Sequence, residues 1–175
     1  MFNPYHHLFF SNDYVYGPPP REPFSPVSGT RLVMFLTNET GPSNNPHAGG
    51  ERAGEIGAGN RATNSAFWFN AYGAYLGCDN EGPDECVMQI SGYALQKDGQ
   101  EELLAYQQNV TLPPCPDYTD CKLTPVTFAG SMKGLSGIQF QAFVNGDQRM
   151  WYMDDLALGW YNNTCAAGLL RARSD

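Results

Sequence analysis

Residues 151–160 read Trp-Tyr-Met-Asp-Asp-Leu-Ala-Leu-Gly-Trp. The aromatic and aliphatic content is that of a β-strand, with two carboxylates in its middle. Side chains alternate between the two faces of a strand. Tyr152, Asp154, Leu156 and Leu158 are therefore expected on one face, and Trp151, Met153, Asp155 and Ala157 on the other. The leucines mark the first face as the core side, which points Asp154 inward and leaves Asp155 at the surface. A bare carboxylate in a core is costly. Asp154 thus requires backbone N–H donors, a basic partner such as Arg149, or a metal ion. On opposite faces, the two carboxylates cannot act together on one substrate.

The rest of the chain repeats the theme of short strands and abrupt turns. Its 19 glycines and 13 prolines in 175 residues exceed the roughly 12% these types usually make up. Candidate strands are Leu8–Phe10, Tyr14–Tyr16, Arg31–Leu36, Phe67–Tyr72, Cys86–Tyr93, Glu101–Leu112, Pro125–Phe128, Gly137–Val144 and Trp151–Trp160. Ile138, Phe140, Ala142 and Val144 alternate with Gln139, Gln141 and Phe143, a clean amphipathic strand. Asn145-Gly146 is a hairpin signal, and Trp151–Trp160 is expected to return against that strand. Lys97-Asp98-Gly99 suggests a second hairpin. Residues 17–29 carry five prolines, which lack backbone donors, and read as an extended surface connection. Residues 38–64 read as one long irregular loop. The expectation is an all-β, two-sheet β-sandwich or jelly roll with long Gly/Pro-rich loops, forming a single domain over residues 1–175.

Charge and cysteines narrow the setting. Ten Lys and Arg against 18 Asp and Glu give a net charge of −8, which argues against nucleic acid or an anionic membrane as partner. No run approaches the length needed to span a membrane. Cys78 and Cys86 bracket one short loop, Cys115 and Cys121 another; both spacings suit local disulfides, and no C-x-x-C or nearby His suggests zinc. Cys165 is left to pair outside the chain, to stay a buried thiol, or to force a different connectivity. Asn38, Asn109 and Asn162 each begin a glycosylation sequon. Disulfides and sequons together point to an extracellular, secreted or cell-wall protein, although residues 1–10 do not read as a signal peptide.

The hairpin with its aromatic-x-x-Asp-Asp-apolar-x-apolar closing strand resembles the C-terminal hairpin of jelly-roll modules. These include many carbohydrate-binding modules and bacterial PEP-CTERM-type secreted domains. Ser65–Tyr75 and Val87–Tyr93 are similar to them too. With Asn3–Phe10 and Asn162–Gly168 as flanking blocks, residues 3–170 resemble an uncharacterised fungal extracellular domain. The resemblance implies a structural calcium at Asp154, with Asp155 as second choice, shared with an acidic residue on the first strand. No acidic strand precedes Asn3, which implies that the first strand is missing.

Two functional classes remain. The first is a non-catalytic module binding cell-wall polysaccharide, with sugar rings stacked on aromatic side chains. Among Trp68, Tyr72, Tyr75, Tyr93, Trp151 and Trp160, the best platform candidates are Trp68 and Tyr72, with Gln139 and Gln141 lining the same groove. Aromatic residues also build cores, which is the competing role for each. The second is a structural or adhesive cell-surface module that assembles through protein contacts and takes no small ligand. Catalysis lacks support in the sequence. His6, His7 and His47 are the only histidines, Gly134–Ile138 fails the nucleophile-elbow pattern at its last position, and no H-E-x-x-H occurs. A glycosidase would have to draw on loop carboxylates such as Glu51, Glu55 and Asp79.

Overall fold

The computed structural model describes residues 5–17, 23–37, 53–96, 99 and 101–173. Eleven strands lie in this part of the chain: β1 (Phe9–Phe10), β2 (Tyr14–Gly17), β3 (Leu32–Phe35), β4 (Gly54–Gly57), β5 (Phe69–Cys78), β6 (Cys86–Leu95), β7 (Glu102–Leu112), β8 (Thr124–Thr127), β9 (Gly137–Val144), β10 (Asp147–Arg149) and β11 (Trp151–Trp160). One helix, α1 (Cys165–Ala172), follows. One sheet runs β1-β4-β9-β6-β7, with β10 also paired to β9; the other runs β2-β3-β11-β5-β8. All pairings between strands are antiparallel. The result is the β-sandwich that the spacing of strands and turns predicts.

The two sheets share one apolar interior. Ile56, Met88, Ile90, Ile138 and Phe140 come from the first sheet, and Phe35, Phe69, Leu76, Trp151 and Met153 from the second. Trp151 is the hub. It is fully buried, stacks on Phe35 at 5.5 Å, tilts against Phe140 at 5.5 Å across the sandwich, and meets Tyr14 edge-on at 5.6 Å. Gly54 faces it because no Cβ fits: one built there lies 2.5 Å from the Trp151 ring. A smaller cluster covers the other side of the second sheet. Phe24 and the Cys115–Cys121 loop lie over Leu32, Met34 and Tyr152, with Phe24 4.7 Å from the Tyr152 ring. Both expected disulfides are formed, Cys78–Cys86 and Cys115–Cys121, while Cys165 is free and exposed at the start of α1.

Four expectations change. First, Asn145 and Gly146 do turn, both at positive φ, but the strand they return is β10, not β11. At Met150 the chain crosses to the other sheet, where β11 pairs with β3 and β5. The crossing brings Trp151 into the interior opposite Phe140. Second, the stretch 38–64 is not all loop: Gly54–Gly57 is a strand between β1 and β9, hidden by its two glycines. Residues 38–52, with His47, Glu51 and the Asn38 sequon, lie outside the described residues. Third, α1 was not anticipated. Thr164 caps it by accepting from the Ala167 N–H, and Arg171 pins it by donating to the carbonyls of Ala66 and Asn162 and lying 4.6 Å from the Trp160 ring.

The largest correction concerns Asp154. Trp151 and Met153, not Tyr152, face the interior. Strict alternation would then send Leu156 and Leu158 outward, yet both pack on the core, as does Trp160. A bulge at Asp155, whose φ is 48°, shifts the phase between them. Asp154 therefore shares the outer face with Tyr152.

Tyr14 gives a pH prediction. Its hydroxyl has no hydrogen-bond partner among the described residues, and burial, reinforced by the Glu55 charge, pushes its pKa well above the ordinary 10.0. Above pH 10 the unfolded chain releases this proton and the folded chain keeps it, so stability falls as pH rises. Denaturant melts from pH 8 to 11 are expected to show a steeper alkaline loss in wild type than in Tyr14→Phe. Parallel slopes would contradict this.

Candidate functional site

The outer face of the second sheet divides into a covered half and a bare half. In the covered half, both Asp154 and Asp155 hold the segment that carries Phe24. Asp154 Oδ2 accepts from the backbone N–H of Val27 (2.7 Å) and Ser28 (3.0 Å), and its Oδ1 accepts from the Asp155 N–H (2.9 Å). The Ser28 hydroxyl donates to Asp155 Oδ1. These neighbours are donors, which suit a carboxylate anion and leave it poorly placed to share a cation. Among the described residues no group of three or more His, Cys, Asp or Glu side chains stands close enough to hold a metal. Asp154 and Asp155 thus form a clasp on the Val27–Ser28 segment.

The bare half lies where β5 begins and β11 ends. Phe67 and Phe69 turn inward, so Trp68, Asn70 and Tyr72 point outward in one row. Trp68 does not belong to the strand itself; it ends a 3-10 turn at Ser65–Phe67 in extended conformation. Its indole N–H donates to the Ala62 carbonyl at 2.6 Å, which locks the half-buried ring in place. Tyr161, just past the end of β11, comes alongside: its N–H donates to the Trp68 carbonyl, and the two rings lie 6.5 Å apart, tilted by 35°. Tyr72 leans over Gly159, where an added Cβ would come within 3.0 Å of its hydroxyl oxygen. Asn70 joins the row. Its Nδ2 donates to the Tyr72 hydroxyl (3.4 Å) and its Oδ1 accepts from the Gly134 N–H (3.0 Å). Tyr72 and Tyr161 are 50% and 54% exposed, far more than ordinary strand aromatics packed against a core. Trp68 to Tyr72 spans about 13 Å of extended chain, more than one sugar ring.

Gln139 and Gln141 do not contribute to this row. Both project from the outer face of the first sheet, where Gln139 donates to Glu55 Oε2 at 3.0 Å. In the same rows stand Ser91 and Gln107, which bond each other at 3.3 Å, and Gln89 with Asn109. Packed sheets lie about 10 Å apart, so the sandwich separates the glutamines from the aromatic row. Sequence reasoning paired them because all four side chains read as outward. It missed Asn70 and Tyr161, whose signal was available: Asn70 falls between the two aromatic candidates on their strand, and Tyr161 directly follows Trp160.

Charge is distributed unevenly along the sandwich. At the end opposite the aromatic row, the loops carry Asp79, Glu81, Asp84, Glu85, Asp117, Asp120 and Asp147, along with Lys122 and Arg149. Burial first, then the Asp79 and Glu81 carboxylates, push the Tyr118 hydroxyl pKa up there, against an opposing pull from Arg149.

Two antiparallel sheets with an exposed aromatic row on one outer face define a β-sandwich. Residues 1–171 match a domain of unknown function, DUF7371, and the chain belongs to that family. No curated protein matches. A DUF4465 family protein from Bacteroides caccae superposes with a TM-score of 0.52 at 8% identity, over 87% of this chain and 79% of that one; the likeness is one of fold. The CBM22-1–GH10 modules of the Clostridium thermocellum xylanase Xyn10B, solved with xylohexaose, give a TM-score of 0.45 at 12% identity, over 91% of this chain and 27% of that one.

The clasp is testable. Asp154→Ala is expected to lower stability by about 1–2 kcal/mol and to speed proteolysis near Val27 and Ser28, while a chelator leaves the melting midpoint of the wild type unchanged. A midpoint that drops on chelation would restore an ion to Asp154.

Proposed function

We propose that this domain is a secreted, non-catalytic β-sandwich that binds polysaccharide through the row of Trp68, Asn70, Tyr72 and Tyr161. The observation that carries the reading is the pair of half-exposed tyrosine rings flanking an amide on one bare sheet face. An exposed ring offers an apolar surface to the C–H face of a sugar, and its hydroxyl and the neighbouring amide offer hydrogen bonds to sugar hydroxyls. Trp68 acts mainly as support, since its N–H is already engaged. Extracellular localisation rests on two disulfides, which persist in oxidising compartments. In that setting Asn109, exposed on β7, would carry its glycan on the outer face of the first sheet, away from the aromatic row. Asn162 lies closer to it, with its side-chain oxygen accepting from the Thr164 N–H and hydroxyl.

A second reading is a protein-assembly module. It draws on α1, where the free Cys165 and the 59%-exposed Leu169 are four residues apart and share a helix face.

Pull-down on insoluble and soluble wall polysaccharides is expected to retain the wild type and to lose most retention in Tyr72→Ala and Tyr161→Ala, both surface changes that should leave the melting midpoint nearly unaltered. Retention equal to wild type in both variants would move the site elsewhere. No retention at all, together with a dimer on non-reducing gels that Cys165→Ser abolishes, would favour assembly.

A further inference from the structure

We infer that the polysaccharide is acidic: the aromatic row is built to take a chain of sugars bearing carboxylates. The inference rests on the proposed binding role of that row and adds the charge of its ligand. Four segments of the chain meet at this end of the sandwich: 5–10, 58–72, 129–137 and 157–173. Their contacts are explicit. The Phe69 and Leu135 N–H groups each donate to the other residue's carbonyl, Arg61 donates to the His7 carbonyl, and Arg171 reaches Ala66 and Asn162. These segments contain Arg61, Lys133, Arg171 and Arg173 and not one Asp or Glu. In a chain with 18 acidic and only ten basic residues, such a sorting is unexpected.

Two of the cations are held, among the described residues, by aromatic rings and backbone carbonyls. Arg61 lies 5.1 Å from the Phe9 ring and 4.7 Å from the Phe67 ring, and Arg171 lies over Trp160. Rings and carbonyls orient a guanidinium without cancelling its charge. Arg171 is nearly buried beside Asn162, the residue after Tyr161. Lys133 is exposed and directly precedes Gly134, where an added Cβ would lie 3.5 Å from the Tyr161 ring. Arg173 is exposed at the end of α1. Lys133 and Arg173 are thus the exposed cations of this end, while Arg61 and Arg171 are fixed within it. Glu102, the first residue of β7, and Glu101 before it also lie towards this end, on the edge of the first sheet farthest from β1, and the four cations outnumber them.

The overall charge of −8 does not oppose such a ligand. The acidic loops lie a strand length away, and β5 with ten residues spans about 33 Å. At physiological salt the screening length is about 8 Å, so a bound chain senses the local cations far more than the distant carboxylates.

The test compares three polymers by affinity electrophoresis or calorimetry: polygalacturonate, the same polymer with its carboxyls methyl-esterified, and a neutral β-glucan. Polygalacturonate is expected to bind roughly tenfold or more tightly than its ester at low salt, with the margin closing near 1 M salt as screening shortens to about 3 Å. Lys133→Glu and Arg173→Glu should each erase much of that margin without changing the melting midpoint. Tyr72→Ala should weaken both polymers. Equal binding of the acid and its ester, or binding of the β-glucan alone, overturns the acidic ligand and leaves the polysaccharide reading standing. No binding of any polymer removes both. Polyglutamate binding as tightly as polygalacturonate, unaffected by Tyr72→Ala, overturns the inference by reducing the site to a bare charge effect.

Discussion

Between Met153 and Leu156 on β11, and between Ala71 and Ala74 on β5, each strand takes one step more than strict alternation allows before returning to the core. The interior-facing residues are Trp151, Met153, Leu156, Leu158 and Trp160 on one strand, and Phe69, Ala71, Ala74, Leu76 and Cys78 on the other. Because both strands shift within the same stretch, their pairing resumes in the register it had before: Met153 faces Leu76, and Leu158 faces Ala71. A shift in only one strand would turn half of its apolar side chains to water. Paired irregularities cost a few ladder hydrogen bonds and preserve the whole core. They also shape the outer face of the second sheet, since Tyr72 lies inside the irregular stretch of β5 and Asp154 and Asp155 at its counterpart on β11.

The same device explains why the outer face of the second sheet is split in two. Before the bulge, Tyr152 and Met34 form an apolar patch that the Phe24 segment and the Cys115–Cys121 loop must cover. Asp154 and Asp155 sit at the border and tie that cover down. Beyond the bulge, Gly159 and Ala157 leave a low floor on β11, and no segment lies across it among the described residues. Tyr72, Asn70, Trp68 and Tyr161 line that floor. Small residues on one strand thus give the aromatic residues of its neighbour room to lie flat against the sheet.

Much of this was legible in the residue pattern. The alternation of Ile138, Phe140, Ala142 and Val144 identified β9, the Asp98-Gly99 step marked the β6–β7 hairpin, and the cysteine spacings matched both disulfides. The outward positions of Trp68 and Tyr72 were also readable, because Phe67 and Phe69 alternate with them. What was not legible depends on tertiary context. A strand that passes from one sheet to the other at Met150 has the same local sequence as one that completes a hairpin. A bulge at Asp155 leaves two carboxylates looking like an ordinary alternating pair, although an Asp tolerates the positive φ better than most residues. The glutamines of β9 read as partners for the aromatic residues because alternation says which side chains face out, not from which sheet.

The central claim is that ligand contacts gather on one face of the second sheet. A backbone amide NMR titration with oligogalacturonide tests it most directly. The account predicts shifts confined to residues 68–72, 133–134 and 159–162 and to the end of α1, with Gln89, Gln139 and Gln141 unmoved. Shifts centred on those glutamines, with the aromatic row silent, would contradict it.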